Sequence, residues 1–235
     1  MTYKPMMSRD EASRRLALWN EWYVPVSNRK EASLTFLGRK LIVPKEVFVP
    51  DAITERFSKS ILKETETDDK VLDMGTGSGI NAIVAALKSR RVLAVDINPF
   101  AVKCARENAA RNGVSDRVKV VKSNLFRDVG GKFDLVIFNP PFAWYKPRDI
   151  RERSVTDEGF RTLSAFFRNV GKHLEKNGRV MLFYGSEGDI KYLELLIGRN
   201  GFESKIIHRE MIRVKSHGWM YYTYKLTQKK GTNRR

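Results

Sequence analysis

The 235-residue chain contains one cysteine, three histidines and one glutamine. A lone Cys104 excludes an intramolecular disulfide and any cysteine-cluster zinc site. It reads instead as a small apolar filler on a helix. His173, His208 and His217 are too few for a histidine-rich centre, so no metal is expected. No apolar run approaches the ~18 residues of a transmembrane helix, and the N-terminus lacks the apolar stretch of a signal peptide. The expectation is a cytoplasmic protein with no membrane partner. Scarce Gln and Cys lean towards a thermophilic source.

Acidic residues are also in short supply. Lys and Arg number 44 against 27 Asp and Glu, a net charge of +17 spread along the chain. Such an excess suits a polyanionic partner such as RNA or DNA, or it is the solvated surface of a heat-stable protein.

From residue 70 onward, short apolar runs alternate with helical ones. Strands are predicted at 71–74, 92–96, 118–122, 133–139, 179–184, 202–214 and 219–226, the fifth preceded by a turn at Asn177-Gly178. Helices are predicted at 80–88, 99–112, 161–174 and 189–199. Strands separated by helices mean βαβ units and a parallel sheet, so the fold class is α/β with a mostly parallel seven-stranded sheet, helices on both faces and a C-terminal antiparallel strand. Residues 1–68 read as an extension: a helix over 8–23 with Leu16, Trp19 and Tyr23 at helical spacing, a hairpin over 34–43, and a helix over 51–62. Residues 69–228 form the main domain and 229–235 a basic tail.

Two motifs carry the chemistry. In the first, Asp73-Met74-Gly75-Thr76-Gly77-Ser78-Gly79 leaves a strand and opens a helix, where glycines permit a tight turn and close approach to a ligand. Asp96 ends the next strand, where an acid can hold a ribose diol. The spacing G-x-G-x-G after Asp73 resembles motif I of class I methyltransferases, and that resemblance implies a Rossmann-like fold with S-adenosylmethionine as cofactor and S-adenosylhomocysteine as product. It also implies that Asp73 faces the methionine end and Asp96 holds the ribose. Gly75, Thr76, Gly77, Gly79 and Ile97 join them as cofactor residues. Asn98 either lines the adenine side or caps a helix ahead of Pro99. Asn124 stands where the family often has Asp, and its side-chain oxygen can still meet the adenine amine.

The second motif is Asn139-Pro140-Pro141-Phe142, after the fourth strand. Consecutive prolines fix an extended backbone and remove two N–H donors, which exposes the Asn139 and Pro140 carbonyls. Two acceptors suit an NH₂ group, and Phe142 can stack on the plane that carries it. This resembles the [D/N/S]-P-P-[Y/F/W] motif of amino-methyltransferases, which act on DNA, RNA or release-factor glutamine. The resemblance implies an enzyme in which Asn139, Pro140 and Phe142 are catalytic, Asn139 also borders the cofactor, and Pro141, Phe142, Trp144, Tyr145 and Arg148 bind substrate.

The expected substrate is the exocyclic amine of an RNA base, cytosine or adenine, in ribosomal RNA or a ribosomal particle. Cations interleaved with aromatics over 142–153 support it, although Trp144 and Tyr145 equally suit a lid packed on the core. Lys205, Arg209, Arg213 and Lys215 are either a second basic site or a solvated strand face. The alternative substrate is a protein glutamine, methylated at N5. Phe36-x-Gly38, Val47–Pro50 and Asp157–Phe160 resemble segments of the release-factor glutamine methyltransferases, which have Tyr where this chain has Phe142.

Overall fold

The computed structural model describes residues 3–27, 30–214 and 217–229. Its elements run α1 (Arg9–Ser27), β1 (Ala32–Phe36), β2 (Arg39–Val43), α2 (Ala52–Glu64), β3 (Lys70–Met74), α3 (Ile80–Ala85), β4 (Arg91–Asp96), α4 (Pro99–Arg111), β5 (Val118–Lys122), β6 (Phe133–Phe138), α5 (Arg161–Val170), β7 (Leu174–Gly185), α6 (Ile190–Arg199), β8 (Phe202–Val214) and β9 (His217–Gln228). Single-turn helices precede and follow α5.

The helix starts follow local chemistry. Asp51 has extended backbone and accepts the Ile53 and Thr54 amides at 3.1 and 2.9 Å, closing a capping box with Thr54. Asn98 caps α4 through the Phe100 amide at 3.0 Å, with Pro99 in the first turn where its missing N–H costs nothing. On α5, Leu163, Phe166, Phe167 and Val170 recur at helical spacing and are all buried.

Seven strands form one sheet in the order β5-β4-β3-β6-β7-β9-β8. The first five are parallel, and β9 is antiparallel to both β7 and β8. The last strand is therefore inserted one place from the edge. Alternation along each strand feeds two cores. Val71, Ala94 and Ile137 face α2, α3 and α4, while Leu72, Val136 and Leu182 face α5 and α6. Among the described residues no helix is long and apolar enough to cross a membrane.

The turn expected at Asn177-Gly178 lies inside β7. Two steps along β6, from Phe133 to Leu135, face five along β7, from Leu174 to Arg179, so the chain bulges outward without ending the strand. Beyond the bulge Arg179 is buried and pairs with Asp69 at 2.7 Å, and it also donates to the Asp134 and Glu64 carbonyls.

The β1–β2 hairpin sits on α4. Asn108 accepts the Ile42 amide at 3.0 Å and donates to the carbonyls of Ile42 at 3.1 Å and Ser78 at 2.9 Å. Buried Cys104 lies beside it, as a filler should. α1 is seated on the β7–α6 loop: Arg15 donates to the Ser186 and Gly188 carbonyls at 2.6 Å each, and Asp189 accepts the Tyr3 hydroxyl and the Met6 amide at 2.7 Å each. Of the stripe expected on α1, Leu16 is exposed, and the side chains of Trp19 and Tyr23 lie outside the described residues. Lys215 and the tail beyond Lys229 also lie outside them. Lys205, Arg209 and Arg213 are exposed on β8.

Candidate active site

The glycine loop leaves β3 and doubles back into α3. The Thr76 amide donates to the Val95 carbonyl at 3.0 Å, which ties the turn to the end of β4. The Gly77 amide donates to Asp96 Oδ2 at 2.9 Å, and the Asn98 amide donates to Asp96 Oδ1 at 2.9 Å. The Asp96 carboxylate is thus fixed at the carboxyl edge of the sheet, where crevices of parallel α/β sheets form. Burial raises its pKa, while the Asn98, Gly77 and Ile97 amides pull it back. Asp73 lies beneath the loop with 1% of its surface exposed and accepts the Thr76 hydroxyl at 2.6 Å. Burial pushes its carboxyl up to about 7, with the Asp96 charge adding to the rise.

The glycines of the loop have different surroundings. Gly77 has φ +55°, and a Cβ there would meet no atom within 4 Å. Gly79 has φ +85°, and a Cβ there would press on Ala105 of α4 at 3.0 Å. Gly77 borders open space, whereas Gly79 is a packing contact.

Asn139-Pro140-Pro141-Phe142 follows β6 at the same edge. Asn139 Oδ1 is buried and has no hydrogen-bond partner among the described residues. Pro141 has no N–H, so the turn lacks a donor of its own there. The Phe142 ring lies 5.3 Å from Tyr184, 6.0 Å from Phe183 and 6.4 Å from Tyr221, centroid to centroid.

A cavity of about 640 Å³ joins the two motifs. Gly75, Thr76, Gly77, Asp96, Ile97 and Asn124 line one part of it, and Asn139, Pro140, Pro141 and Phe142 line another. Asp73 and Gly79 stand behind the lining. Asn98 both caps α4 and lines the cavity, so its two sequence readings coexist. Trp144, Tyr145 and Arg148 are not in the lining. Trp144 packs on Tyr145 at 4.8 Å, Phe160 at 6.1 Å and Tyr3 at 6.3 Å. Arg148 makes a bidentate pair with buried Glu152 at 2.7–3.0 Å. The loop is closed further by the Ala143–Thr156 bridge, and it offers Ile150, Arg153 and Ser154 to the cavity instead.

The model of the methyltransferase small domain family matches residues 47–198. The chain belongs to this family. This methyltransferase is 33% identical over 159 residues to a putative protein N5-glutamine methyltransferase of Methanocaldococcus jannaschii, covering 63% of the chain and 77% of that protein. It is 32% identical over 175 residues to the release factor glutamine methyltransferase of Aquifex aeolicus, covering 68% of the chain and 62%, less than two thirds, of that relative. Among solved structures it resembles the ribosomal protein L11 methylase of Lactobacillus delbrueckii subsp. bulgaricus, with a TM-score of 0.58 and 27% identity over 78% of this chain and 81% of that one. The chain is an S-adenosylmethionine-dependent methyltransferase with the class I fold.

The residues present fit that cofactor. An acid with fixed oxygens lines the cavity at Asp96, the side-chain space at Gly77 is empty of protein, and the volume lies in the ordinary range for ligand pockets. Sequence reading missed Leu18 and Glu21 of α1, Asp51, Glu187, and Trp219 and Tyr221 of β9, all of which line the cavity. None of them sits in a motif; only the long-range fold brings them to this edge.

Proposed function

We propose that this methyltransferase transfers a methyl group to the side-chain amide nitrogen of a glutamine in a protein substrate. The observation that carries the reading is the buried, unpartnered Oδ1 of Asn139, a residue that lines the cavity together with Pro140. A buried acceptor without a donor costs about 1–3 kcal/mol, which an incoming NH₂ group would remove. The names of the Methanocaldococcus and Aquifex relatives support an amide over a base. The net charge of +17 favours a second reading, an RNA base amine, but the loop expected to stack a base holds Trp144 and Arg148 in contacts of their own.

In this reading Asp96 holds the ribose hydroxyls, Gly75 and Gly77 let the backbone approach the cofactor, Ile97 and Asn124 border the adenine, and Asp73 fixes the loop through Thr76. S-adenosylmethionine, when bound, supplies an electrophilic methyl group. Conjugation with the carbonyl makes an amide nitrogen a poor nucleophile. Asn139 Oδ1 and the Pro140 carbonyl would orient its two N–H bonds and favour the positive charge that develops as the N–C bond forms and the methyl–sulfur bond breaks, with S-adenosylhomocysteine as the leaving group. Phe142, with Phe183 and Tyr221 around it, keeps water from the reacting nitrogen. Proton loss follows attack, so no strong base is needed.

The test is incubation of radiolabelled S-adenosylmethionine with protein and ribosomal fractions from a strain lacking the gene. Label that resists nuclease and resolves to N5-methylglutamine is expected; label in a nucleoside would refute the glutamine reading. Asn139→Ala should cut turnover by about 100-fold or more while cofactor affinity stays within about threefold.

A further inference from the structure

The charged residues that line the cavity are Glu21, Asp51, Asp96, Glu187 and, as the one cation among the described residues, Arg153. An acidic lining in a chain of net charge +17 is a local inversion. Asp96 belongs to the glycine-loop end, and Asp51 spends its Oδ1 on the cap of α2. Glu187, on the loop between β7 and α6, has no such structural use.

One Glu187 carboxylate oxygen accepts the Tyr221 hydroxyl. The other, Oε2, is buried and has no partner among the described residues. The loop is held firmly around it. Arg15 grips the carbonyls of Ser186 and Gly188 on either side. The Ser186 amide donates to the Met220 carbonyl and the Met220 amide to Ser186 Oγ, both at 2.8 Å. The Tyr221 ring that supports the carboxylate lies 6.4 Å from the Phe142 ring, so Glu187 stands one aromatic ring away from the Asn-Pro-Pro-Phe turn. Burial pushes the carboxyl up to about 7; the Tyr221 hydroxyl, the Glu187 backbone amide and Arg15 oppose the rise, and Asp51 adds to it. Oε2 lies against the Gly185 backbone at the cavity wall; a buried carboxylate oxygen left unpaired beside a cavity bears a desolvation cost that a donor from a ligand relieves.

We propose that Glu187 Oε2 is a substrate-binding acceptor for an N–H donor of the polypeptide flanking the target glutamine, and that the acidic lining around it disfavours phosphate-bearing substrates. The inference rests on the glutamine reading above. A peptide offers a neutral backbone N–H at nearly every residue, whereas a nucleic acid brings a negative charge with every nucleotide.

The test uses the full chain and the protein acceptor recovered from the labelled extract. Glu187→Gln keeps the volume and the oxygen that meets Tyr221, but it places an NH₂ where the free oxygen was. A substrate N–H left facing an NH₂ and not an acceptor should raise KM for the acceptor by about 10- to 100-fold, with kcat within about threefold. Cofactor affinity by calorimetry should stay within about twofold, which also shows that the variant is folded. An unchanged KM in Glu187→Gln overturns this inference and leaves the glutamine reading standing. Label in an RNA nucleoside overturns both.

Discussion

A methyl group added at each of two glycines only two residues apart should separate binding from folding. Gly77→Ala and Gly79→Ala both put an L-residue at positive φ, +55° and +85°, which costs about 1–2 kcal/mol. Both also stiffen the unfolded chain, which returns about 0.4–1 kcal/mol. At Gly77 the new Cβ meets no protein atom, so the net loss is about 0–1.5 kcal/mol and Tm falls by roughly 0–5 °C. At Gly79 the Cβ stands 3.0 Å from Ala105 Cα and Cβ, and forcing α3 from α4 adds about 1–3 kcal/mol. The total is then about 1–4 kcal/mol, or roughly 3–15 °C. The effect on cofactor runs the other way. Gly77→Ala fills cavity space and should weaken S-adenosylmethionine by about tenfold or more, a loss of about 1.4 kcal/mol, while Gly79→Ala, measured well below its Tm, should bind nearly as the wild type. Scanning calorimetry and binding calorimetry on the two variants give both numbers. If Gly79→Ala melted normally and lost the cofactor, the assignment of the two glycines would be reversed and the reasoning wrong.

Two further outcomes follow from buried charges. Asp73 holds its proton up to about pH 7 in the cofactor-free fold, whereas the unfolded chain releases it near the ordinary value of 3.8; between these values the unfolded state binds fewer protons, so this group's contribution to stability falls as pH rises and levels off above 7. Urea midpoints should therefore show wild type losing roughly 3 kcal/mol relative to Asp73→Asn between pH 4 and 7, and a gap that did not change with pH would refute the buried, protonated carboxyl. Arg179→Ala leaves Asp69 buried without its cation and should cost about 3–5 kcal/mol, read as a drop in Tm; a loss under about 1 kcal/mol would mean that water or a neighbouring base compensates the acid.

The strands, their parallel run and both motifs were legible because period-two alternation, glycine spacing and a proline pair are local signals. The place of β9 was not. Tyr222, Tyr224 and Leu226, two residues apart, tell of a sheet, but only the pairing with β7 on one side and β8 on the other tells that it is interior. Asn177-Gly178 carries a turn signal that the structure spends on a bulge within a continuing strand. Alternating aromatics and cations left substrate contact and a packed lid equally open for Trp144 and Tyr145; in the fold Trp144 packs on Tyr3 and Phe160, and Arg148 pairs with Glu152. Glu187 was invisible for the opposite reason: nothing beside it in the chain announces chemistry, and its partners Tyr221 and Arg15 are far away in sequence.

Asn108 fills its hydrogen-bonding capacity by joining three segments: both main-chain groups of Ile42 on the hairpin, the Ser78 carbonyl of the glycine loop, and Arg111 on its own helix at 2.6 Å. The hairpin lies ahead of residue 47, where the family match begins, and β8 and β9 lie after residue 198, where it ends. The stretch that the family model matches and the stretch that closes a stable body thus have different borders. A fragment trimmed to the matched stretch would part the glycine loop's anchor from the hairpin it is tied to and strip two strands from the sheet, so any minimal version of this enzyme has to be cut by contacts and not by the bounds of the match.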